Sequence, residues 1–158
     1  MNFKNKLVVI LIIKYHIKNK TNMLNNNVFI RFKEQLSLEE RKRKAEELLL
    51  TYPERIPIII EKDKTLLEKE QSEEYKNGKK IPNTTKTKFL VNRTDTVDNI
   101  ILVVKNQLQI SSEQAIFLLV NSKYALSGNS LMSTVYEKYK DEDGFLYLTF
   151  ALELIWGC

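Results

Sequence analysis

The sequence is short of the residues that carry most catalytic and cross-linking chemistry. It has one cysteine, Cys158, at its last position, and one histidine, His16. A single cysteine excludes an intrachain disulfide and a cysteine metal cluster, and it fits a reducing compartment. With His16 the only imidazole, and placed in a basic leader, Cys–His pairs, Ser–His–Asp triads and histidine metal sites lack a member. The four glycines, at 78, 128, 144 and 157, are too scattered for a loop that cradles a dinucleotide or phosphate. Apolar runs are short too: Leu7–Ile13 cannot span a bilayer, and no small-residue cleavage site follows it as a secretory signal requires.

Charge of one sign is confined to one end. Residues 1–22 hold Lys4, Lys6, Lys14, Lys18 and Lys20 with no acid; taking these five from 25 Lys+Arg leaves 20 against 20 Asp+Glu. The pI near 9.2 therefore comes from the leader, and it makes no case for a nucleic-acid partner. Residues 1–27 read as a basic leader and Asn-rich linker, disordered or lying upstream of a working start at Met23. A domain is expected over 28–150, and its length suits one compact core.

Within it, Ser37 and Glu40 form a capping box, and Ala45, Leu48, Leu49 and Tyr52 keep helical spacing, so Leu38–Tyr52 is expected to be an amphipathic helix ended by Pro53. The β-branched run Ile56–Ile60 reads as a strand in which Pro57 sits at an edge or where no N–H is needed. Glu61–Lys80 holds six acids and six lysines with little apolar periodicity, so about 61–86 reads as a solvated charged insert, with a short helix around Leu66–Tyr75. Lys88–Val91 is a second strand. Thr94 or Asp95 then caps a helix carrying Val97, Ile100, Ile101, Val104 and Leu108, a stripe that reads as core packing. Ala115–Val120 suits a strand buried on both faces. Leu131, Met132, Val135, Tyr136 and Tyr139 mark another helix, Asp143-Gly144 a turn, and Phe145–Phe150 a final strand. Two strands, a long helix and two later strands is the β-grasp order, an α+β fold with helical material added in front. The acids Asp141, Glu142 and Asp143 read as a charged hairpin turn without the burial that catalytic carboxylates need. Together these features point to a binding protein rather than an enzyme.

Several stretches resemble the autophagy-related protein 8 family, which includes the light chain 3 and GABA-receptor-associated proteins. Tyr52-Pro53-Glu54-Arg55-Ile56-Pro57-Ile58-Ile59-Ile60-Glu61-Lys62 is similar to its "YPxRIPVIxEK" segment, and Lys88-Phe89-Leu90-Val91 to its "KYLV". Ala115–Asn121, Leu131–Tyr136 and Lys140–Phe150 are closer still, and the likeness runs from about Phe32 to Gly157. The resemblance implies a ubiquitin-like β-grasp with two additional N-terminal helices, no cofactor, and a tail, 151–158, for processing and conjugation. Trp156-Gly157-Cys158 has the form of that family's processed end. By resemblance, a cysteine protease removes Cys158, and activating and conjugating enzymes of the autophagy system pass Gly157 to phosphatidylethanolamine. Glycine suits narrow active sites because it carries no Cβ. The product would be cytoplasmic and then peripheral, lipid-anchored, on autophagosomal and vacuole- or lysosome-related membranes.

The family also holds short aromatic-x-x-aliphatic peptides of cargo receptors by strand addition. Carried over, Leu48, Pro57, Ile59, Leu90 and Phe145 line an aromatic pocket with Lys88 at its rim, while Phe89, Val91, Ile100 and Val103 form an aliphatic one. Arg55 and Lys88 are placed to meet acids flanking the motif. Three departures stand out. Lys44 stands where an acid is usual, Asp95 replaces a leucine of the aliphatic pocket, and Ala151–Ile155 is unusually apolar. The rival readings are an unconjugated peptide-binding adaptor that keeps Cys158, and a secreted or anchored protein using the leader.

Overall fold

The computed structural model describes residues 30–71, 87–111 and 113–152. The leader, most of the charged insert and residues 153–158, including Gly157 and Cys158, lie outside the described residues.

A four-residue helix α1 (Phe32–Gln35) precedes α2 (Leu38–Thr51). Ser37 caps α2 as its sequence predicts: its hydroxyl accepts the Glu40 N–H, and the Glu40 carboxylate accepts the Ser37 N–H at 2.9 Å. Next come β1 (Arg55–Lys62), α3 (Lys64–Gln71), β2 (Lys88–Asn92), α4 (Val97–Leu108), β3 (Ile116–Val120), β4 (Tyr124–Ala125), α5 (Met132–Tyr139) and β5 (Leu146–Leu152). The described strands form one sheet in the order β2-β1-β5-β3-β4. β1 and β5 are parallel, Ile58 facing Leu146 and Lys62 facing Phe150, and the other pairs are antiparallel.

The sheet is covered on both faces, which is why β1 reads as an unbroken isoleucine run. Ile56, Ile58 and Ile60 turn to one face, where Phe89, Val91, Leu118, Leu148 and Phe150 meet α4 through Val97, Ile100, Val104 and Leu108, and α5 through Met132, Val135 and Tyr136. Ile59 turns to the other face, beneath α1 and α2, with Phe32, Ala45, Leu48 and Phe145. Each such side chain contributes about 1.5–3 kcal/mol by burial.

Four local expectations are corrected. The charged stretch does not leave the fold at residue 61: β1 continues to Lys62, Glu61, Lys62 and Asp63 are 6%, 2% and 2% exposed, and α3 starts at Lys64. The N-cap of α4 is Thr96, not Thr94 or Asp95. Its hydroxyl accepts the Asn99 N–H, whereas the Asp95 carboxylate is taken by the Asn92 N–H at 2.9 Å. β3 is not covered along its whole length, because Phe117 is exposed on one face. The Asp143-Gly144 turn lies between α5 and β5, as the expected order of elements has it, but it is not an unburied hairpin turn: the Asp143 side chain is fully buried.

Candidate functional site

Pro57 has no N–H, and it sits opposite Leu90 in the β1–β2 ladder. The hydrogen bonds between these strands therefore run through the neighbouring pairs, Ile56–Val91 and Ile58–Phe89. The flanking bonds keep that phase: Ile60 N–H donates to the Thr87 carbonyl at 2.8 Å, and Arg93 N–H to the Glu54 carbonyl at 3.1 Å. Lys88, Leu90 and Asn92 consequently aim their backbone groups away from β1. The Asn92 N–H is held by Asp95, which leaves the polar groups of Lys88 and Leu90 on the outer rim of β2, the edge of the sheet among the described residues.

Period-two alternation puts Pro57, Ile59, Lys88 and Leu90 on the α2 side. Leu48, Ile59 and Phe145 pack into one cluster there, and Phe32 joins them. Lys88 lies half-buried at the border of this cluster. Burial holds its ammonium below the ordinary lysine range, and the charge of Lys44 pushes the same way. Arg55 stacks over the Tyr52 ring, 6.0 Å from its centre. Phe89, Val91 and Ile100 face the opposite side inside the main core, with Val103 packed against them and partly exposed. Leu90, although on an edge strand, is 0% exposed. The openness of the edge is thus a property of its backbone and not of its side chains.

The α2 side is fastened by residues that sequence reasoning passed over. Asp143 accepts from Arg41 Nε at 2.7 Å, from the Tyr147 hydroxyl at 2.6 Å and from the Phe145 N–H at 3.0 Å. Arg41 also donates to the carbonyls of Lys33 and Leu36. Burial is the largest single influence on Arg41 and works against its charge, but the bond to Asp143 and the charges of Tyr147, Asp143 and Asp141 together outweigh it and raise the guanidinium's pKa. Burial and then Asp143 hold the Tyr147 phenol well above the usual tyrosine range. Gly144 makes the turn possible: its φ is +87° and an added Cβ would lie 2.9 Å from that of Ala45. Glu61 performs a matching task for α1, accepting the Phe32 N–H at 2.8 Å and Arg31 at 3.1 Å. The signal available for these contacts was only an acid directly after an isoleucine run and an acid before a glycine.

The family described as autophagy protein Atg8, ubiquitin like, matches residues 40–157. The chain belongs to the Atg8 family. It is therefore an autophagy ubiquitin-like protein, and the sheet with its two N-terminal helices is the ubiquitin-like Atg8 fold. Among relatives, it is 40% identical to autophagy-related protein 8e of Arabidopsis thaliana over 80% of this chain and 92% of that one. It is 31% identical to human microtubule-associated protein 1 light chain 3 gamma, over 80% of this chain and 78% of the relative. A crystal structure of Trypanosoma brucei ATG8 superposes with a TM-score of 0.64 at 30% identity, covering 80% of this chain and 97% of the other. The Atg8 match extends past β5 into residues outside the described ones and includes Gly157. Among the described residues, no helix is long and apolar enough to cross a membrane.

Proposed function

We propose that this Atg8-family chain is a modifier, not an enzyme: it is cut after Gly157, joined through that glycine to phosphatidylethanolamine on autophagosomal membranes, and used there to hold aromatic-x-x-aliphatic peptides of cargo receptors. The observation that carries the peptide reading is the outer rim of β2. Lys88 and Leu90 offer backbone donors and acceptors in register for one more strand, with an apolar cluster behind and a lysine beside it. The aromatic anchor would lie toward Leu48, Pro57, Ile59, Leu90 and Phe145, and the aliphatic one toward Phe89, Val91, Ile100 and Val103. Arg55 and Lys88 would meet flanking acids.

Conjugation is supported by the family match running through Gly157 and by the Trp156-Gly157-Cys158 ending. The protease removes Cys158. The Gly157 carboxylate is then adenylated, held as a thioester and transferred to the lipid amine, with the enzyme's thiol as leaving group. Two acyl chains give stable anchoring where one would be marginal.

One observation favours the unconjugated adaptor. β5 runs to Leu152 and buries Ala151 and Leu152, so the chain stays packed closer to Gly157 than a loose tail would. Intact mass of the protein recovered from cells decides between them. Loss of Cys158 with a lipid adduct, abolished by Gly157→Ala, supports conjugation; a full-length mass retaining Cys158 sinks it. For the groove, a Trp-x-x-Leu peptide with flanking acids should shift the backbone signals of Lys88, Phe89, Leu90 and Val91. Shifts confined to Lys140–Asp143 would refute the strand-addition reading.

A further inference from the structure

We infer that Asp95 decides which residue a bound peptide carries directly after its aliphatic anchor: it ends strand addition at Asn92 and selects a lysine or arginine there. The inference rests on the peptide-binding reading above. The backbone of Asn92, like that of Lys88 and Leu90, points away from β1. Both of its polar groups are taken by Asp95. The Asn92 N–H donates to the Asp95 carboxylate at 2.9 Å, and the Asn92 carbonyl accepts the Asp95 N–H at 3.1 Å. Asp95 thus stands where the next residue of an added strand would pair, and a peptide lying along Lys88 and Leu90 runs up against it. Its position is fixed from behind, because the Asp95 carbonyl accepts the Met132 N–H at 2.8 Å and ties the loop to the start of α5.

The spacing of the anchors sets which peptide residue arrives there. Ile59, in the aromatic cluster, is opposite Lys88 in the ladder, whereas Val91, in the aliphatic lining, turns to the other face. Opposite residues of neighbouring strands share a face, so an aromatic residue beside Lys88 and an aliphatic one beside Val91 are three positions apart and point to opposite faces. That is the aromatic-x-x-aliphatic spacing, and it runs the peptide parallel to β2. The residue after the aliphatic anchor then lies beside Asn92, against the Asp95 carboxylate. One carboxylate oxygen is used by Asn92, and the other keeps its acceptor capacity. Among the described residues no cation pairs with Asp95. The nearby Arg93 is engaged elsewhere: it donates to the Pro53 carbonyl at 3.1 Å, pairs with Glu137 at 3.5 Å and lies over the Tyr136 ring. A basic residue of the peptide therefore meets an acid that is not neutralised, and an acidic one meets like charge. The groove has opposite polarity at its two ends, accepting acids beside Lys88 and a base beside Asp95.

Three Trp-x-x-Leu peptides with acids before the tryptophan, differing only in whether lysine, glutamine or glutamate follows the leucine, test the assignment. Each is titrated by calorimetry into the full chain and into Asp95→Asn, at about 50 mM and about 300 mM salt. Asp95→Asn keeps an acceptor for the Asn92 N–H and removes the charge, and circular dichroism checks its folding. With wild type at low salt, the lysine peptide is expected to bind about three- to fivefold tighter than the glutamine peptide, and the glutamate peptide weaker by a similar factor. The spread narrows at the higher salt, and in Asp95→Asn the three fall within about twofold of one another. Amide exchange gives a second readout: bound peptide slows the Leu90 N–H, which gains an acceptor, and leaves the Asn92 N–H as it was. The wild-type series and the exchange measurement carry the test if Asp95→Asn does not fold. Equal affinity of the three peptides for wild type, or the same spread in Asp95→Asn, overturns selection by Asp95 and leaves the peptide site standing. Slowed exchange at Asn92 overturns the end of pairing there. Absence of binding by all three peptides overturns this inference and the peptide reading together.

Discussion

Replacing Asp143 by alanine is expected to loosen α2 from the sheet, and the structure sets the size of the effect. The carboxylate is 0% exposed and takes three donors, while its partner Arg41 is 11% exposed. Removing one member of a buried pair costs about 3–5 kcal/mol, because the other charge is left desolvated. Arg41 keeps the carbonyls of Lys33 and Leu36 as acceptors, which places the cost near the lower bound, about 3 kcal/mol. At roughly 3 °C per kcal/mol for a domain of this size, the melting temperature falls by about 10 °C. Asp143→Asn keeps the shape and an acceptor and loses only the charge, so it costs less. Denaturant unfolding followed by far-UV circular dichroism measures both. A double-mutant cycle with Arg41→Met separates the pair from the other donors, and a coupling of about 1 kcal/mol or more is expected. A cost below about 1 kcal/mol for Asp143→Ala, or strict additivity in the cycle, refutes the reasoning that this turn pins α2.

Alkaline pH tests the same cluster from another side. Tyr147 has a raised pKa in the fold, so its contribution is complete below the unfolded value of about 10 and is lost as pH climbs above it; stability measured from about pH 9 to 11 should fall less steeply in Tyr147→Phe, and an unchanged slope counts against the assignment. Lys88→Glu should weaken an acid-flanked peptide by up to about fivefold, the worth of a partly exposed charge pair, while a neutral-flanked peptide is little affected; equal losses for both peptides would remove Lys88 from the rim. Leu90→Arg is expected to unfold or strongly destabilise the domain, because Leu90 is fully buried despite its edge position; a melting temperature near wild type would show that the side chain escapes to solvent. Deleting residues 1–22 should leave the melting temperature almost unchanged, since termini are commonly held loosely, and a large drop would show that the leader packs on the domain.

Elements whose signals are local were legible in the sequence. Ser37 and Glu40 announced α2, the isoleucine run announced β1, and the spacing of Val97, Ile100, Val104 and Leu108 announced α4. The α1 helix was implied only by the family resemblance and not by its own residues, because Phe32–Gln35 is shorter than two turns and shows no period. At the start of α4, Thr94, Asp95 and Thr96 are all chemically able to cap, and only the partner already claiming Asp95 decides for Thr96. The same limit explains Glu61 and Asp143: a charged residue is read as solvated until the arginine that meets it is placed, and Arg41 and Asp143 lie 102 positions apart. For the groove, the grouping of Pro57, Ile59, Lys88 and Leu90 came from the family resemblance, and the β1–β2 register sets the four on one side. No pattern in the sequence could announce that Phe32 fills the space between them and α2.

The strand order has a mechanical consequence. A pull applied through the residues beyond Leu152 enters the fold at β5, the middle strand of the described sheet, with five paired positions against β1 on one flank and five against β3 on the other. A load drawn along this strand, and resisted by something held on the far rim of β2, passes through the β5–β1 ladder and then the β1–β2 ladder. Both ladders are loaded lengthwise, so their hydrogen bonds share the force and fail together rather than opening one at a time. The sheet is thus arranged as a tension member between the end of the chain and its outer edge.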